Sequence, residues 1–352
     1  MKHCLLYEHH QAAGATLRPH DEASPLLTYG QVPEEYEAAT SSAALFDETD
    51  RGLVRVSGGE AATFLHRMSS NVVEGLEPGQ GNRNLLLTGK GKILFDFDLA
   101  VTPDGFLLSV GPGLAPALIQ QLDGFLFAED VQLEDLTEEA APLHLVGPGA
   151  ADLLGRLGFE PPAAEHDSTA GELAGHSVRV TRLRVLGPDG FRIDGGPAAA
   201  QALWEALGAA GAQPAGRILA DILRVESCRA AWGEDVDDGV YPQEARLEEA
   251  FNLSKGCYPG QEVVAKIDTY GGLNKRLFRL KVDHADPVPR GTRLYRHDAE
   301  RDEWRDLGLV TSWAYSFPLD TGQVLAYVKR RHQEPGTTFR VGEGGAEATL
   351  LD

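Results

Sequence analysis

The stretch LVRVSGGEAATFLHRM (residues 53–68) returns in pattern as LHLVGPGAADLLGRLG (residues 143–158). In each, a short β-rich run meets a glycine turn and passes into a helix with apolar residues at helical spacing. Val56, Gly58, Ala61, Ala62 and Leu65 match Leu145, Gly147, Ala150, Ala151 and Leu154 at a constant offset of 89 residues. Such a repeat predicts two related α+β units in one chain. Each unit also carries a hairpin. The first is NLLLTGKGKILFDFDLAV followed by TPDGFLLSV, and the second is VTRLRVLGPDGFRID. Both place a Pro-Asp-Gly turn between β-rich runs. Further helices are expected near the N-terminus and over about Pro33–Ala44, Pro197–Ala210 and Arg217–Cys228. From Arg276 onward the texture changes to RLFRLKV, TRLYR, LGLVTSWAYS, VLAYVKR, TTFRV and EATLLD, separated by Gly, Pro and Asp. These short strands predict a small all-β barrel or sandwich. The expected division is therefore 1–275 for the paired α+β units and 276–352 for the barrel, with a seam near Gly271–Arg276.

The chain has 352 residues, 53 acids against 32 bases and a formal net charge of −21. That field repels phosphate backbones and anionic membranes, so no direct nucleic-acid or membrane partner is expected. No run approaches the roughly 20 apolar residues of a membrane helix. The opening MKHCLLYEHHQAAG lacks the apolar core and cleavage site of a signal peptide. Cys4, Cys228 and Cys257 are an odd, scattered set, which argues against a disulfide framework and for a reducing cytoplasm. No CxxC or CxxH pair is present, so no metal site is expected. Three scattered thiols do not supply the four ligands of a usual iron–sulfur cluster.

LVGPGAAD imitates a dinucleotide fingerprint, but Asp152 occupies the place of its last glycine, and turn-plus-helix packing explains the segment. TGKGK lacks the spacer of a P-loop and reads as a hairpin turn. ILFDFDLAV is more informative. Alternation sends Phe95, Phe97 and Leu99 one way and Asp96 and Asp98 the other. Two carboxylates on one strand face are either solvent-facing positions or the lining of a cleft, where an Asp could bind or deprotonate a ligand amine. In SKGCYPGQEVVAKIDTYGGLNKRL, Cys257 sits in a Gly/Pro-rich turn two residues after Lys255. It is either a small buried structural thiol or an accessible one tuned by the neighbouring ammonium.

Lys255-Gly256-Cys257-Tyr258-Pro259-Gly260-Gln261-Glu262 resembles the K-G-C-[FY]-x-G-Q-E signature of the YgfZ folate-binding proteins, relatives of the glycine-cleavage T protein (aminomethyltransferase). CLLYEHHQAAGA, the segment from AALFDETD to ILFD, and ILADILRVESCRAAWGEDVD are similar to the same superfamily, so the resemblance covers most of the chain. It implies a three-domain cloverleaf of two interleaved, ferredoxin-like α+β units and a C-terminal β-barrel, around a central folate-binding cavity. By the same resemblance Asp96 falls on the carboxylate that orients the reacting folate nitrogen. Arg224 and Glu226 fall on the L-R-x-E helix of the cavity, and Lys255, Cys257, Tyr258, Gln261 and Glu262 on the signature. Two positions depart from the T-protein pattern. The second hairpin ends in Arg192 where a pterin-contacting Glu is usual, and Leu219-Ala220-Asp221 replaces Ala-Arg-Asp.

The resemblance implies a cytoplasmic, monomeric protein that binds tetrahydrofolate or a one-carbon derivative. Its role would be in the synthesis or repair of iron–sulfur enzymes, including tRNA-modifying ones, through Cys257, with iron–sulfur proteins or their assembly factors as partners. A second expectation is a folate-dependent aminomethyltransferase or demethylase with Asp96 catalytic. A third is a non-enzymatic scaffold with a vestigial folate site. Lys266, Lys275, Arg276 and Arg279 are either basic groups for the folate glutamate tail or a solvated face.

Overall fold

The computed structural model describes residues 3–187, 189–298, 300–342 and 345–351. Pro188 of the second Pro-Asp-Gly turn lies outside them. The chain begins with α1 (Tyr7–Ala12), β1 (Thr16–Leu17), β2 (Leu26–Thr28), α2 (Val32–Ser41) and β3 (Ala44–Asp47). The first repeat runs β4 (Gly52–Ser57), α3 (Ala61–Met68), β5 (Gly81–Leu87), β6 (Ile93–Thr102), β7 (Gly105–Val110), α4 (Ala115–Asp123) and β8 (Gln132–Asp135). The second runs β9 (Ala141–Val146), α5 (Ala150–Arg156), β10 (Ser168–Leu173), β11 (His176–Arg182), β12 (Gly190–Gly195), α6 (Ala200–Ala209) and β13 (Gln213–Ala215). After them come α7 (Arg217–Glu226), α8 (Gln261–Tyr270) and the six strands β14 (Lys275–Val282), β15 (Arg293–Asp298), β16 (Glu303–Ser316), β17 (Thr321–Lys329), β18 (Thr338–Val341) and β19 (Glu347–Leu350). None of the described helices is long and apolar enough to cross a membrane.

Met1–Leu86, Phe95–Ala220 and Ala250–Pro259 form one compact unit; Leu87–Leu94, Asp221–Glu249 and Gly260–Asp352 form another. The first contains both repeats apart from the tip of the β5–β6 hairpin, Leu87–Leu94. Their sheets have matching orders, β5-β6-β7-β4-β8 and β10-β11-β12-β9-β3-β13. The interleaving is carried by β3, which precedes the first repeat in sequence but pairs with β9 and β13 of the second. The expected helix over Pro33–Ala44 stops at Ser41, and Ala44–Asp47 is a strand instead. Four residues carry too little local pattern to announce a strand, and the two neighbours supply its pairing.

The repeat glycines show why the offset exists. Gly58 has φ +112 and Gly147 has φ +130. A Cβ on Gly58 would lie 2.1 Å from the Asp130 carbonyl oxygen, and one on Gly147 would lie 2.5 Å from that of Ser42. Both conformation and space therefore demand glycine where strand turns into helix. Gly147→Ala is expected to cost about 1–3 kcal/mol, measured as a shift in the chemical-denaturation midpoint at constant slope. Beyond the turn, Ala61, Phe64, Leu65 and Met68 form the buried stripe of α3. In the second repeat, Leu153 and Leu154 of α5 and Leu203, Trp204 and Leu207 of α6 pack with Leu143, Leu145, Phe191 and Ile193 in one core.

In the second unit the six final strands close into a barrel ordered β14-β17-β16-β15-β18-β19. Its first strand starts at Lys275, one residue before the sequence expectation. Phe278, Leu280, Val282, Leu294, Val310, Val324, Ala326, Val328 and Phe339 fill it. A register shift between Val310 and Ser312 bulges β16 at Thr311. Adjacent strand residues ordinarily face opposite ways, and the bulge re-aims them. Thr311 and Ser312 consequently donate to the same Asp235 Oδ1, at 2.5 and 2.7 Å.

Candidate functional site

Strand β6 presents the alternation read from its sequence. Ile93, Phe95, Phe97 and Leu99 are buried, while Asp96 and Asp98 are half-buried on the other face. Neither carboxylate is simply solvated. Arg83 grips Asp96 from β5, donating from Nε to Oδ1 at 2.8 Å and from Nη2 to Oδ2. Asp98 Oδ2 accepts from Arg192 Nη1 at 3.4 Å, and Arg192 Nε donates to Asp194 Oδ2 at 3.3 Å. Arg192 is only 4% exposed, so its charge depends on these carboxylates. Burial opposes ionisation of Asp98, but Arg192, His166 and Arg51 outweigh it and hold the carboxyl below the usual range. Glu48 continues the network. Burial opposes its charge as well, yet Arg51 and His144 bring its pKa to about 2.

His166 is a feature that the sequence reading missed. Its Nδ1 lies 3.9 Å from Asp98 Oδ1 and is buried with no hydrogen-bond partner among the described residues. Its φ of +63 is held by its N–H bond to the Arg182 carbonyl at 2.8 Å. The ring nitrogen beside this carboxylate is left for a water or a polar ligand atom to satisfy. A single histidine in a loop gives no sequence signal of this kind.

The signature segment is pinned by a second histidine, His66 of α3. Its Nδ1 accepts from the Val73 and Glu74 amides at 3.2 and 3.1 Å, which puts the proton on Nε2. Nε2 then donates to the Lys255 carbonyl at 2.7 Å, and Lys255 Nζ donates back to the His66 carbonyl. Burial pulls the Lys255 ammonium down to about 8, so it can exchange a proton near neutrality. Its Nζ also stands 5.1 Å from the centre of the Tyr258 ring. Tyr258 is buried, its hydroxyl is unpartnered among the described residues, and burial pushes it up to about 12. Cys257 is exposed, whereas Cys4 is buried. Lys255, Cys257 and Tyr258 thus share one short segment, while Asp96 is held separately by Arg83.

The other predicted residues lie in the second unit. Arg224 donates to Asp235, Asp221 and Ser312, at 2.5, 3.1 and 3.0 Å for the closest contacts. Ser316 Oγ donates to Glu226 Oε1 at 3.2 Å. Gln261 opens α8, and Glu262 pairs with Lys266 at 2.6 Å, both side chains well exposed. Of the remaining basic candidates, Arg276 pairs with Glu248 at 2.7 Å and Arg279 donates to the Glu226 carbonyl at 2.7 Å. Lys275 Nζ stands 4.5 Å from the centre of the Tyr327 ring.

In the first unit, Cys4, Ser24, Asp47, Glu48 and Asp50 contribute to the lining of a cavity of about 80 Å³. Burial raises the Asp50 pKa to about 6 despite its bond from the Ser24 amide at 2.6 Å. The folded chain therefore holds this proton where the unfolded chain has lost it, and Asp50 withdraws stability as pH rises between about 4 and 6. Asp50→Asn should raise stability at pH 7–8 by about 1–3 kcal/mol and give no gain below pH 4, measured by denaturation at both values.

Two family models match in tandem. The GCVT N-terminal domain covers residues 6–255, and the glycine cleavage T-protein C-terminal barrel domain covers residues 275–350. The chain belongs to the glycine-cleavage T-protein family. Among its relatives, the aminomethyltransferase of Chlorobium chlorochromatii is 31% identical over 360 residues, spanning 98% of this chain and 95% of that one. A putative chloroplastic transferase of Arabidopsis thaliana is 27% identical, spanning 88% of this chain and 71% of that one. The crystal structure of the glycine cleavage system aminomethyltransferase T from Bartonella henselae superposes with a TM-score of 0.86 at 26% identity, covering 99% and 96% of the two chains. The α+β T-protein fold with its closed terminal barrel is therefore the fold of this protein.

Proposed function

We propose that the protein binds a reduced folate on the polar face of β6 and acts in one-carbon transfer of the aminomethyltransferase type. The observation that carries this reading is the end-to-end likeness to aminomethyltransferases, and it is supported by Asp96 on the polar face of β6, at the position the T-protein resemblance assigns to a folate-orienting carboxylate. The residues present suit a pterin. Asp96 and Asp98 keep 12% and 15% side-chain exposure and can accept from ring and bridge N–H groups. His166 Nδ1 is a buried, unsatisfied ring nitrogen at the same place. Tetrahydrofolate, when bound, supplies the amine nitrogens that receive the one-carbon unit. Asp96 would orient and polarise that amine, with Arg83 fixing the carboxylate, while Arg192 holds Asp98 in position. Incubation with tetrahydrofolate and an aminomethyl-loaded lipoyl carrier protein should yield methylenetetrahydrofolate. No product despite measurable folate binding would sink the transferase reading.

A second reading is favoured by one observation: the signature thiol, Cys257, is exposed next to a lysine whose ammonium is weakened. Under it the protein is a monomeric, folate-binding YgfZ-type factor that serves iron–sulfur proteins or their assembly factors through this thiol. Cys257→Ser should leave stability within about 0.5 kcal/mol and leave methylenetetrahydrofolate formation unchanged, yet abolish complementation of a YgfZ-deficient cell. Full complementation would remove the thiol from the mechanism.

A further inference from the structure

The interior of the first unit holds a polar cluster that neither reading uses. Cys4 precedes α1, His10 lies within it, and Asp47 ends β3. Cys4 is 5% exposed and His10 0%, and the Asp47 side chain is 2% exposed. Asp47 Oδ2 accepts from the Cys4 thiol at 2.9 Å and from His10 Nε2 at 2.9 Å. Its Oδ1 accepts from the Thr49 amide at 2.7 Å. The sulfur, the ring nitrogen and the carboxylate oxygen all lie within 4.8 Å of one another. On the far side of the ring, His10 Nδ1 is hydrogen-bonded to the Tyr29 hydroxyl at 2.7 Å. Cys4 and Asp47 also line the cavity of about 80 Å³, which has room for water or a small anion.

We propose that Cys4, His10 and Asp47 form a binding site for one divalent transition-metal ion of the zinc type, with a fourth position open toward this cavity. One thiolate, one imidazole and one carboxylate are a ligand set zinc accepts, and three protein ligands with one open place is its reactive-site arrangement. Tyr29 is the outer partner that a metal-bound imidazole requires on its other nitrogen. Bond lengths of about 2.1 and 2.3 Å in tetrahedral geometry separate ligand atoms by about 3.4–3.6 Å. The two 2.9 Å contacts therefore have to open by about 0.6 Å, a shift within the reach of side-chain rotation. The protons balance. Without metal, the thiol and Nε2 protons both point at Asp47. On binding, the Cys4 proton leaves to solvent, and the imidazole proton moves to Nδ1 and is donated to the Tyr29 oxygen, whose own hydroxyl proton, directed at Nδ1 without metal, rotates away from the ring. Coordination takes the thiolate, so one proton is released with each ion bound. Metal affinity should accordingly fall about tenfold per pH unit on acidification. Asp50 lines the same cavity.

The test uses the full chain stripped with a chelator, in the double variant Cys228→Ser/Cys257→Ser. Cys4 is then the last thiol present. Titration with Co²⁺ should produce a thiolate-to-cobalt charge-transfer band that saturates at one ion per chain, releases one proton and is bleached by Zn²⁺. Tyr29→Phe in that background should weaken the affinity about 10–100-fold. A double variant that folds but shows no such band overturns the proposal. So does a wild-type band that disappears in the double variant, since the metal then sits on the other two thiols. Unchanged affinity in Tyr29→Phe overturns the orientation assigned to His10.

Discussion

Replacing Asp235 with alanine is expected to destabilise the barrel-containing unit by about 3–5 kcal/mol. This is the cost of leaving one member of a buried ion pair without its partner. Asp235 accepts from Arg224 Nη1 at 2.5 Å and from the Ala231 amide at 3.0 Å on one oxygen, and from the Thr311 and Ser312 hydroxyls on the other. Its own carbonyl accepts from the Tyr327 hydroxyl at 2.9 Å. The carboxylate is completely buried and the Arg224 side chain is 10% exposed. Alanine takes an acceptor from the Arg224 guanidinium, the Ala231 amide and the Thr311 and Ser312 hydroxyls at once, and among the described residues Asp221 remains as the counter-charge of Arg224. Urea denaturation of Asp235→Ala, Arg224→Met and the double variant measures this. The double variant should be much less damaged than the sum of the singles, because the stranded charge is removed with its partner. Strict additivity would show that Arg224 does not depend on Asp235. The L-R-x-E arginine would then be free to act in ligand binding, as its position in the family motif implies.

Asp96→Asn is expected to reduce folate-dependent turnover by about 10²–10³-fold with a stability loss of about 1 kcal/mol. Asparagine keeps one oxygen for Arg83 and gives up the second acceptor of that pair together with the charge offered to the folate amine. The neighbouring change, Asp98→Asn, should behave differently. Asp98 shares with Asp194 the role of counter-charge to Arg192, which is 4% exposed, so this variant should lose about 1–3 kcal/mol of stability. Its turnover should suffer less than that of Asp96→Asn. Steady-state kinetics and denaturation of both variants separate the two roles. Equal kinetic losses would show that the strand face acts as one electrostatic patch and that Asp96 has no special place on it.

Periodicity made the repeat, the hairpins and the barrel strands legible, because alternation and helical spacing are properties of neighbouring residues. The two faces of β6 could be read in the same way, down to which carboxylates share a side. The amino-acid sequence did not say what those carboxylates touch. Arg83 and Arg192 reach them from 13 and 94 residues away, and nothing in a local pattern marks an arginine as the partner of a particular aspartate. Asp235 gave no signal either. Its importance comes from a bulge in a strand 76 residues further on, which turns two hydroxyls toward one carboxylate.

The amino-acid sequence by itself determined the family, the two-fold repeat of α+β units and the terminal barrel. Local periodicity, glycines forced by backbone geometry and motif stretches spread along most of the chain carry that information. Tertiary structure alone decided where β3 is inserted, that His166 stands strained beside Asp98, and that Cys4, His10 and Asp47 meet. Residues 4, 10 and 47 follow no ligand spacing along the chain. They converge because α1 and the end of β3 are buried in the same core, and convergence of that kind is a property of packing.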